Sequence, residues 1–578
     1  MEELYPVADQ KPNVLHIFTD QQRFDTIGAL GNPVIKTPNL DRLAREGTAF
    51  TSAYSASPVC ISARCSMIYG QYAPNTGCYE NQTMPEDGRQ SLMGALTEAG
   101  YRTHGVGKCH FSPETYAMRG FETRETQSEI VGDPSKHDYL KFLHANGFDH
   151  VCDPHGIRGE MYYIPQPAQM PAELHPTNWV GMRSEAFIEE QGESDQPWYL
   201  FSSYVHPHPP FAPPNPWHKL YRSPEMPLPK VPQDSEALHM WINKFQNRYK
   251  FRDQGIDNNL VRNMKAYYYA CISFIDSQVG RLLDALERTG QLANTLILYN
   301  ADHGEHLGDY NCFGKRSMHD TAARVPLLCR LPGTFEPGRR LEQVASHVDV
   351  APTILHAADT EFDDGARDGV DLAELAAGNV ERDAVYSQLF SGERAIYMAA
   401  NEEWKYVYSA PDRMEYMFDR VRDPQETRNR ADMPFTRNTQ PQMREMLMDF
   451  LRANDETEGI EGDSWKEYPR FEMPRNPDAG LLIQDHPWTD KIRGSWDMTA
   501  AAGRDRLAAF LDHGLADYKT DRDRPDRDGT SRLSPYLHWG QLSPRQVWHD
   551  TNGYAASHRV PAPSVEAFLS ELGWREFA

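Results

Sequence analysis

Residues 13–23 read Asn-Val-Leu-His-Ile-Phe-Thr-Asp-Gln-Gln-Arg, an apolar run that passes directly into a polar one. Residues 14–18 are short, apolar and bounded, which is typical of a buried strand in a parallel sheet. The polar residues 19–23 then end the strand. Asp20 and Gln21 are therefore predicted to lie at the carboxyl end of a buried strand, where open α/β sheets bind their ligands.

Other segments repeat this alternation of strand and helix. Residues 198–201 and 295–299 are further strand candidates, and residues 37–47 are typical of a helix that opens on a capping Thr with Pro at its first turn and ends at Gly. A longer helix is indicated by apolar residues at helical spacing, namely Ile272, Ile275, Val279, Leu282, Leu283 and Leu286. The pattern predicts the α/β class, with a mostly parallel sheet sandwiched by helices.

Length and charge limit the domain organisation and the partners. A chain of 578 residues with 39% apolar residues is expected to form two or three globular domains. The formal net charge of −24 argues against a nucleic-acid binder, because phosphate backbones repel such a surface. Residues 491–578 carry 12 basic and 12 acidic residues, so the surplus of acid lies upstream. This change in composition predicts a boundary near residue 490.

The sequence contains no pattern that predicts a membrane crossing or a secretory signal. No apolar run approaches the ~18 residues that a bilayer crossing needs. Residues 1–12 are acidic and polar, unlike the basic and then apolar layout of a secretory signal. Eight cysteines are an ordinary number for a cytosolic protein of this length. We therefore expect a cytoplasmic protein with no membrane partner.

Four candidate strands run into residues that bind metals or anions. A single such ending is more often an ordinary loop, but four of them predict one assembled site at the edge of the sheet. The acids, the amide and one imidazole suggest a divalent cation, for which the oxygen-rich set favours Ca²⁺ or Mg²⁺ and the imidazole leaves Mn²⁺ open. The predicted metal ligands are Asp20, Gln21, Asp302 and His303, and the other endings hold Lys108 with His110 and His206 with His208.

Residues 57–70 read Ser-Pro-Val-Cys-Ile-Ser-Ala-Arg-Cys-Ser-Met-Ile-Tyr-Gly and resemble the sulfatase signature. The resemblance implies that Cys60 is oxidised to formylglycine by a formylglycine-generating enzyme and that residue 60 also touches the metal. Ser62 stands where the signature usually has Pro. The placement is physically sensible, because a helix N-terminus suits an anionic ester. Arg64, at i+4, shares the helix face of Cys60.

The resemblance continues along residues 10–360 in a fixed order. Residues 403–406 and 481–487 resemble the smaller C-terminal subdomain of that family. An alkaline-phosphatase-like α/β fold is implied, with a catalytic domain over 1–365 and an α+β subdomain over 366–490. Gln21 stands where many members have a second Asp. The matching elements are residues 12–23, residues 100–111 with Lys108 and His110, residues 208–211, residues 300–305, and residues 313–316 with Lys315.

The resemblance implies hydrolysis of a small-molecule or saccharide sulfate ester. The metal would polarise a formylglycine hydroxyl, which attacks sulfur while His208 protonates the departing alkoxide. Arg64, Lys108 and Lys315 would stabilise the sulfuryl oxygens, and His110 would deprotonate the second hydroxyl. His206, beside His208, is the alternative acid. A phosphonate monoester or phosphodiester hydrolase of the same superfamily is the close rival function.

Residues 491–578 resemble a different family, the flavin-binding helical domain of DNA photolyases and cryptochromes. The resemblance lies in residues 515–518, 528–540, 542–545 and 571–577. It implies an all-α fragment, which would bind FAD if the fragment is functional. The alternative is a partial domain that binds no flavin. A flavin-dependent DNA-binding module is the second function class, although the charge makes DNA an unexpected partner. The implied FAD contacts are Tyr518, Thr530, Ser531, Leu533, Ser534 and Arg575.

The same segment contains an apolar stripe at helical spacing, formed by Leu507, Phe510, Leu511 and Leu515. Such a stripe must be buried against something to be stable. Burial on the neighbouring domain, or exposure with a risk of aggregation, are the two expectations.

Overall fold

The computed structural model describes residues 11–159, 162–247, 257–365, 367–461, 499–524, 526–527, 529–538 and 542–577. The chain divides into two compact units, Met1–Glu467 and Tyr468–Ala578. Residues 462–498 lie outside the described residues, and with them the segment 481–487 and the boundary expected near residue 490. The domain limits inferred from the sequence therefore stay predictions.

Nine strands of the described part of the first unit form one mixed sheet. They are β1 (Asn13–Asp20), β2 (Thr48–Tyr54), β3 (Arg102–Gly107), β4 (Thr123–Thr126), β5 (Trp198–Pro207), β6 (Thr295–Ala301), β7 (Arg324–Val325), β8 (Leu327–Arg330) and β9 (Arg339–Ser346). The order is β4-β3-β5-β1-β6-β8-β2-β7, and β9 pairs with β2. The block from β4 to β6 is parallel throughout. The predicted mostly parallel sheet is confirmed.

A second sheet and twelve α-helices also belong to the described part of this unit. The antiparallel strands are β10 (Val385–Leu389), β11 (Ile396–Ala400), β12 (Trp404–Ser409) and β13 (Met414–Asp419). The helices are α1 (Pro38–Glu46), α2 (Cys60–Tyr69), α3 (Ala73–Thr76), α4 (Leu92–Glu98), α5 (Asp138–Ala145), α6 (Pro176–Glu190), α7 (Asn258–Arg288), α8 (Asp320–Ala323), α9 (Val350–Ala357), α10 (Leu372–Ala377), α11 (Thr439–Ala453) and α12 (Glu458–Glu461). Among the described helices, none combines the length and apolarity that a membrane crossing requires.

The central strand β1 is buried on both of its faces. Val14 and Phe18 pack into the apolar cluster that α2, α4, α9 and α10 cover. Leu15 and Ile17 point to the opposite face, which α1, α5, α6 and α7 cover. This alternation with two buried faces explains the nearly continuous apolar run in the sequence. The sandwich of helices around the sheet is confirmed.

Helix α1 begins and ends where the sequence predicts, but its N-terminus is capped differently. The hydroxyl of Thr37 donates to Asp41 of the same helix at 3.0 Å, and it caps no backbone N–H of that helix. The carboxylate of Asp276, on α7, instead accepts from the backbone N–H groups of Asn39 at 3.1 Å and Leu40 at 2.7 Å. A cap from a distant helix joins α1 to α7, and local sequence does not reveal it.

The second unit has its own apolar core. Its helices are α13 (Ala500–His513), α14 (Tyr518–Asp521), α15 (Ser534–His538), α16 (Pro544–Ser557) and α17 (Ala562–Phe577). The predicted stripe is buried within this unit, which corrects the expectation that it rests on the neighbouring domain or stays exposed. Its members pack with residues of α14, α15 and α17 in a cluster that includes Leu507, Phe510, Leu511, Leu515, Tyr518, Tyr536, Phe568 and Leu572.

A buried ion cluster ties the small sheet to helix α8. Lys405 on β12 is fully buried, and its Nζ donates to Asp320 Oδ1 at 2.6 Å and to the carbonyl of Met318 at 2.7 Å. Its Nζ also pairs with the carboxylate of Glu426. Asp320 begins α8, which directly follows the loop that contains Lys315. The small sheet therefore holds that loop in place through charge pairing in a low-dielectric environment.

We expect Lys405→Met to lower the free energy of unfolding by about 3–5 kcal/mol, since it removes the buried cation that the carboxylates of Asp320 and Glu426 share. The matched control is Lys141→Met. The side chain of Lys141 is 53% exposed and pairs with Asp138 at 3.1 Å, so its loss should cost less than about 1 kcal/mol. Urea unfolding followed by circular dichroism measures both. Equal midpoints for the two variants would contradict the anchoring role.

Candidate active site

The parallel strands β3, β5, β1 and β6 are neighbours in that order, so their carboxyl ends share one edge of the sheet. The residues that follow these strands were predicted from the sequence to meet there. Lys108 follows β3, His208 follows β5, Asp20 ends β1 and Asp302 follows β6. The topology brings all four endings into one region, together with the N-terminus of α2.

Four side chains at this edge form a buried cluster. Asp20, Cys60, Asp302 and His303 each offer one ligand atom, and these atoms all lie within 4.8 Å of one another. Cys60 Sγ is 3.3 Å from His303 Nε2 and 3.8 Å from Asp20 Oδ1. None of the four side chains is exposed by more than about 1%. The geometry is that of a small cation site with two carboxylates and an imidazole.

Arg64 contacts the two carboxylates on the side that faces away from Cys60 and His303. Its Nε donates to Asp302 Oδ2 and its Nη2 to Asp20 Oδ2, each at 3.2 Å. Its Nη1 donates to the carbonyl of Lys108 at 2.5 Å and to Ser203 Oγ at 3.2 Å. The Oδ1 atoms of both carboxylates remain on the side of His303 and Cys60. Arg64 thus fixes the carboxylates so that one oxygen of each faces the cluster.

The tautomer of His303 fits a bound cation. Its Nδ1 lies 3.1 Å from the carbonyl of Gly304, which only accepts, so Nδ1 carries the proton. In the neutral ring, the lone pair of Nε2 then faces Asp302 Oδ1 at 3.4 Å and Asp20 Oδ1 at 3.8 Å. Lone pairs on three mutually facing atoms repel unless a positive charge lies between them. A second hydrogen bond that orients a metal-binding imidazole is a usual feature of such sites.

The pKa values of the two carboxylates also favour a bound cation. Burial and the neighbouring Asp20 raise the pKa of Asp302 to about 7. Burial alone would also raise the pKa of Asp20, but Lys108 and further cations overcome it and hold that pKa well below its usual range. Two buried carboxylates therefore compete for limited positive charge, which a divalent cation would supply.

Gln21 lies beside the cluster in a strained conformation. Its φ is 66°, in the left-handed region that residues other than glycine rarely adopt. Its backbone N–H donates to Asp302 Oδ1 at 2.9 Å, and its side-chain Nε2 donates to Glu305. Its Oε1 accepts from Lys315 Nζ at 2.9 Å, and Lys315 Nζ is 2.8 Å from Cys60 Sγ. The amide oxygen of Gln21 therefore points toward the cluster. Its role as a ligand stays a prediction.

Cys60 is the first residue of α2, a helix whose ten residues are all buried. The backbone N–H of Ile61 is capped by Asn81 Oδ1 at 3.0 Å, a contact that sequence reasoning missed. Ser62, at the position of the signature Pro, donates its hydroxyl to the carbonyl of Cys78. Burial and Asp20 raise the pKa of the Cys60 thiol, but Lys315 and other cations outweigh them and lower it well below its usual value. Residue 60 therefore sits where negative charge is stabilised.

Lys108 reaches the cluster because of the glycine before it. Gly107 has φ 95°, and a Cβ there would lie 2.0 Å from the carbonyl of Ser203 on β5. This close approach lets the chain turn at the end of β3. The Nζ of Lys108 then pairs with Asp20 Oδ2 at 2.5 Å and Glu129 Oε2 at 2.7 Å.

The histidines after β3 and β5 differ in placement. Burial and Lys108 lower the pKa of His110, Cys60 opposes them, and the Nδ1 of His110 is buried without a hydrogen-bond partner among the described residues. His208 is buried beside Glu129 and Tyr162. His206 faces elsewhere, stacked on His175 with ring centroids 5.1 Å apart. Of the two candidate acids, His208 is the one whose ring contacts the charged groups of the site.

Sequence reasoning also missed Glu129, Arg158 and Tyr162. Glu129 follows the edge strand β4 by three residues, and its carboxylate joins Lys108 to Arg158, the latter at 2.6 Å. Tyr162 donates to, or accepts from, His208 Nε2 at 3.4 Å. Recognising β4 as a parallel strand would have singled out Glu129, because the rule that places ligands after strand ends applies there as well.

The residues implied in FAD binding lie in the second unit. Tyr518 is mostly buried, with its ring against Phe510 and Phe568 at centroid distances of 5.6 and 5.3 Å. Leu533 is buried, Ser531 is half-buried, and Thr530 and Ser534 are exposed. The side chain of Arg575 lies outside the described residues. Flavin binding stays a prediction.

Comparison with known proteins identifies the first unit. Residues 12–360 match the family model "Sulfatase", and residues 308–453 match "N-sulphoglucosamine sulphohydrolase, C-terminal". The chain is 30% identical over 478 residues to an arylsulfatase of Clostridium perfringens, which covers 77% of this chain and 95% of that protein. It is 32% identical over 441 residues to a choline-sulfatase of Rhizobium meliloti, covering 73% and 83%.

The fold is also that of solved structures. A phosphonate monoester hydrolase of Agrobacterium radiobacter superposes with a TM-score of 0.68 at 25% identity, over 77% of this chain and 97% of that one. The predicted alkaline-phosphatase-like fold is thereby confirmed. The two matched family ranges together extend from residue 12 to residue 453 and do not include the tail, so the resemblance of the tail to photolyases stays a prediction. With its buried Asp, Cys, Asp and His cluster at the edge of a parallel sheet, the chain belongs to the sulfatase family of hydrolases, within the alkaline phosphatase superfamily.

Proposed function

We propose that the chain hydrolyses the sulfate ester of a small molecule or saccharide, with formylglycine at position 60 and a divalent cation. The observation that carries the proposal is the convergence of Asp20, Asp302 and His303 on residue 60 at the start of a buried helix. Two lysines, Lys108 and Lys315, point their ammonium groups into the same space. A cation site beside an anion-binding helix terminus suits an ester that is itself anionic.

The cation would be held by Asp20, Asp302 and His303, with Gln21 Oε1 as a further oxygen. When bound, the cation supplies a Lewis acid and the hydrate of formylglycine supplies the attacking oxygen. Oxygen donors favour Ca²⁺ or Mg²⁺, while the imidazole keeps Mn²⁺ a candidate. Calcium is our first choice, because its flexible coordination tolerates the mixed set of donors.

The remaining residues of the site stabilise charge and move protons. Lys315 Nζ, 2.8 Å from Cys60 Sγ, and Lys108 Nζ would meet the sulfuryl oxygens and stabilise their charge. Arg64 holds the two carboxylates, and its direct contact with the sulfuryl group stays a prediction. His208 would give a proton to the departing oxygen. His110 would take a proton from the second hydroxyl of formylglycine at position 60.

The substrate class is supported by the relatives. The matched C-terminal model is named for a hydrolase of N-sulphoglucosamine, and the curated relatives include an arylsulfatase and a choline-sulfatase. These names support sulfate esters of sugars and of small alcohols or phenols.

A second candidate is a phosphonate monoester or phosphodiester hydrolase, which the structural likeness to the Agrobacterium radiobacter enzyme favours. Lys108 and His110 support the sulfatase, because their positions match its Lys-x-His element. The values of kcat/KM for 4-nitrophenyl sulfate and 4-nitrophenyl phenylphosphonate separate the two. A higher value for the phosphonate would reverse our choice.

We expect formylglycine at position 60 when the chain is produced together with a formylglycine-generating enzyme. The tryptic peptide of residues 46–64 contains this position and reports the modification by its mass. Cys60→Ala is the control and should be unmodified and inactive toward 4-nitrophenyl sulfate. An unmodified thiol in wild-type protein that still turns over the ester would remove formylglycine from the proposal.

We expect Asp302→Ala to bind almost no divalent metal and to lose turnover of 4-nitrophenyl sulfate, because a small site loses one of its carboxylate ligands. Elemental analysis of dialysed protein measures the metal. The matched control is Glu374→Ala, since Glu374 lies in a second, partly exposed cluster with His356 and Asp371. If the control loses the metal and Asp302→Ala keeps it, the cation site lies elsewhere.

A chain that ends at residue 490 should keep its hydrolase activity, because every proposed catalytic residue lies between Asp20 and Lys315. The tail has a separate apolar core, which supports its independence. Turnover of 4-nitrophenyl sulfate and flavin absorbance are compared between the full and shortened chains. A shortened protein that binds metal but does not turn over the ester would give the tail a catalytic role, and flavin in the full chain alone would support the photolyase-like alternative.

A further inference from the structure

Glu129 is a buried carboxylate at the end of the site where His208 lies. Its side chain is only 12% exposed. One oxygen, Oε1, accepts from Arg158 Nη2 at 2.6 Å. The other, Oε2, accepts from Lys108 Nζ at 2.7 Å and lies 3.5 Å from His208 Nε2. The carboxylate therefore touches both the lysine and the histidine to which the proposed reaction assigns roles.

The proton positions on His208 follow from its neighbours. Its Nδ1 is 2.7 Å from the carbonyl of Pro209, which only accepts, so Nδ1 carries a proton in every state. Nε2 is consequently the atom that gains and loses the exchangeable proton. That atom faces Glu129 Oε2 and the hydroxyl of Tyr162, 3.4 Å away. The backbone fixes the ring so that its titrating nitrogen points at the carboxylate.

Several charges act on this nitrogen. Burial lowers the pKa of His208 to about 3, and Glu129 is the strongest influence that opposes it. Lys315 and Lys108 lower that pKa further, while Asp20 raises it. Burial alone would raise the pKa of Glu129, but His208 and Lys108 hold it well below its usual range, so the carboxylate is ionised. Without Glu129, a protonated His208 would be left with Lys315 and Lys108 lowering its pKa, and among the influences resolved for the described residues Asp20 would oppose them.

We infer that Glu129 is a positioning residue that makes the protonated form of His208 accessible for leaving-group departure. The inference rests on the proposed sulfatase function. As the sulfur–oxygen bond breaks, its electron pair stays with the ester oxygen. That oxygen takes the proton from His208 Nε2, whose N–H bond breaks in the same step. The imidazole is left neutral, with Tyr162 able to donate to Nε2.

The consequence depends on the leaving group. A 4-nitrophenolate departs without a proton, whereas a phenolate or alkoxide of higher basicity gains much more from protonation. Loss of Glu129 should therefore matter little for an activated ester and much for an unactivated one. A merely structural role would affect both esters alike, because it would disturb the site before the chemistry begins.

The experiment compares kcat/KM for 4-nitrophenyl sulfate and phenyl sulfate in the full chain, with formylglycine formed and metal bound. We expect Glu129→Gln to lose less than about threefold on the first ester and about 10- to 100-fold on the second, a share of the roughly 100- to 10,000-fold that general acids contribute. The alkaline limb of kcat for phenyl sulfate should also shift to lower pH, since the protonated His208 loses its counter-charge. His208→Ala should show the same dependence on the leaving group.

The matched control is Glu125→Gln, four residues earlier on β4. Glu125 pairs with Arg183 at 2.5 Å and His104 at 3.6 Å, away from the site, so both esters should be unaffected. Where Glu129→Gln does not fold, Glu129→Asp keeps the charge at a greater distance and should give an intermediate leaving-group dependence. Equal losses on both esters, or an unchanged pH profile, would overturn the inference about Glu129 but leave the proposed function standing. A wild-type protein that hydrolyses neither ester would overturn the proposed function, and the inference with it.

Discussion

One guanidinium between two buried carboxylates constrains the whole site. Arg64 pairs with Asp20 and Asp302, and its remaining donors reach the carbonyl of Lys108 and the hydroxyl of Ser203. Removing three charges from water costs several kcal/mol for each ion unless the geometry pairs them well. The ends of β1, β3, β5 and β6 and the start of α2 must therefore meet in one place. Lysine could not replace Arg64, because only a planar fork donates in all of these directions.

Features of the site that depend on local sequence could be predicted. Asp20 and Asp302 lie within three residues of the end of an apolar run, and a buried strand that meets a polar stop is a pattern of only a few residues. Glu129 could not be found in this way, because the edge strand before it has four residues and no clear apolar period. Its importance comes from Lys108 and His208, which are 21 and 79 positions away in the sequence and become neighbours only through the order of the strands.

The same distinction holds for the fold. The helix over residues 38–46 was predicted at both ends, yet its cap is Asp276, which lies on another helix and in no local pattern. In the tail, the periodicity of Leu507 and Phe510 predicted an apolar helix face, but both expectations for that face, burial on the neighbouring domain and exposure, were wrong. The cover is the tail's own later helices, including Phe568. Periodicity reports which face of an element is buried, whereas the partner is chosen by topology and chain length.

The net charge of the molecule repels an anionic substrate, whereas the lysines of the site attract it. The net charge of −24 repels a sulfate ester at long range, although at physiological salt this repulsion fades beyond about 8 Å. Inside the site Lys108 and Lys315 act at contact distance, where low dielectric strengthens them. Glu129 offsets part of that positive charge beside His208. In the proposed reaction, positive charge would act near residue 60, where the sulfuryl group would bind, and would be moderated beside His208, where the alcohol would depart.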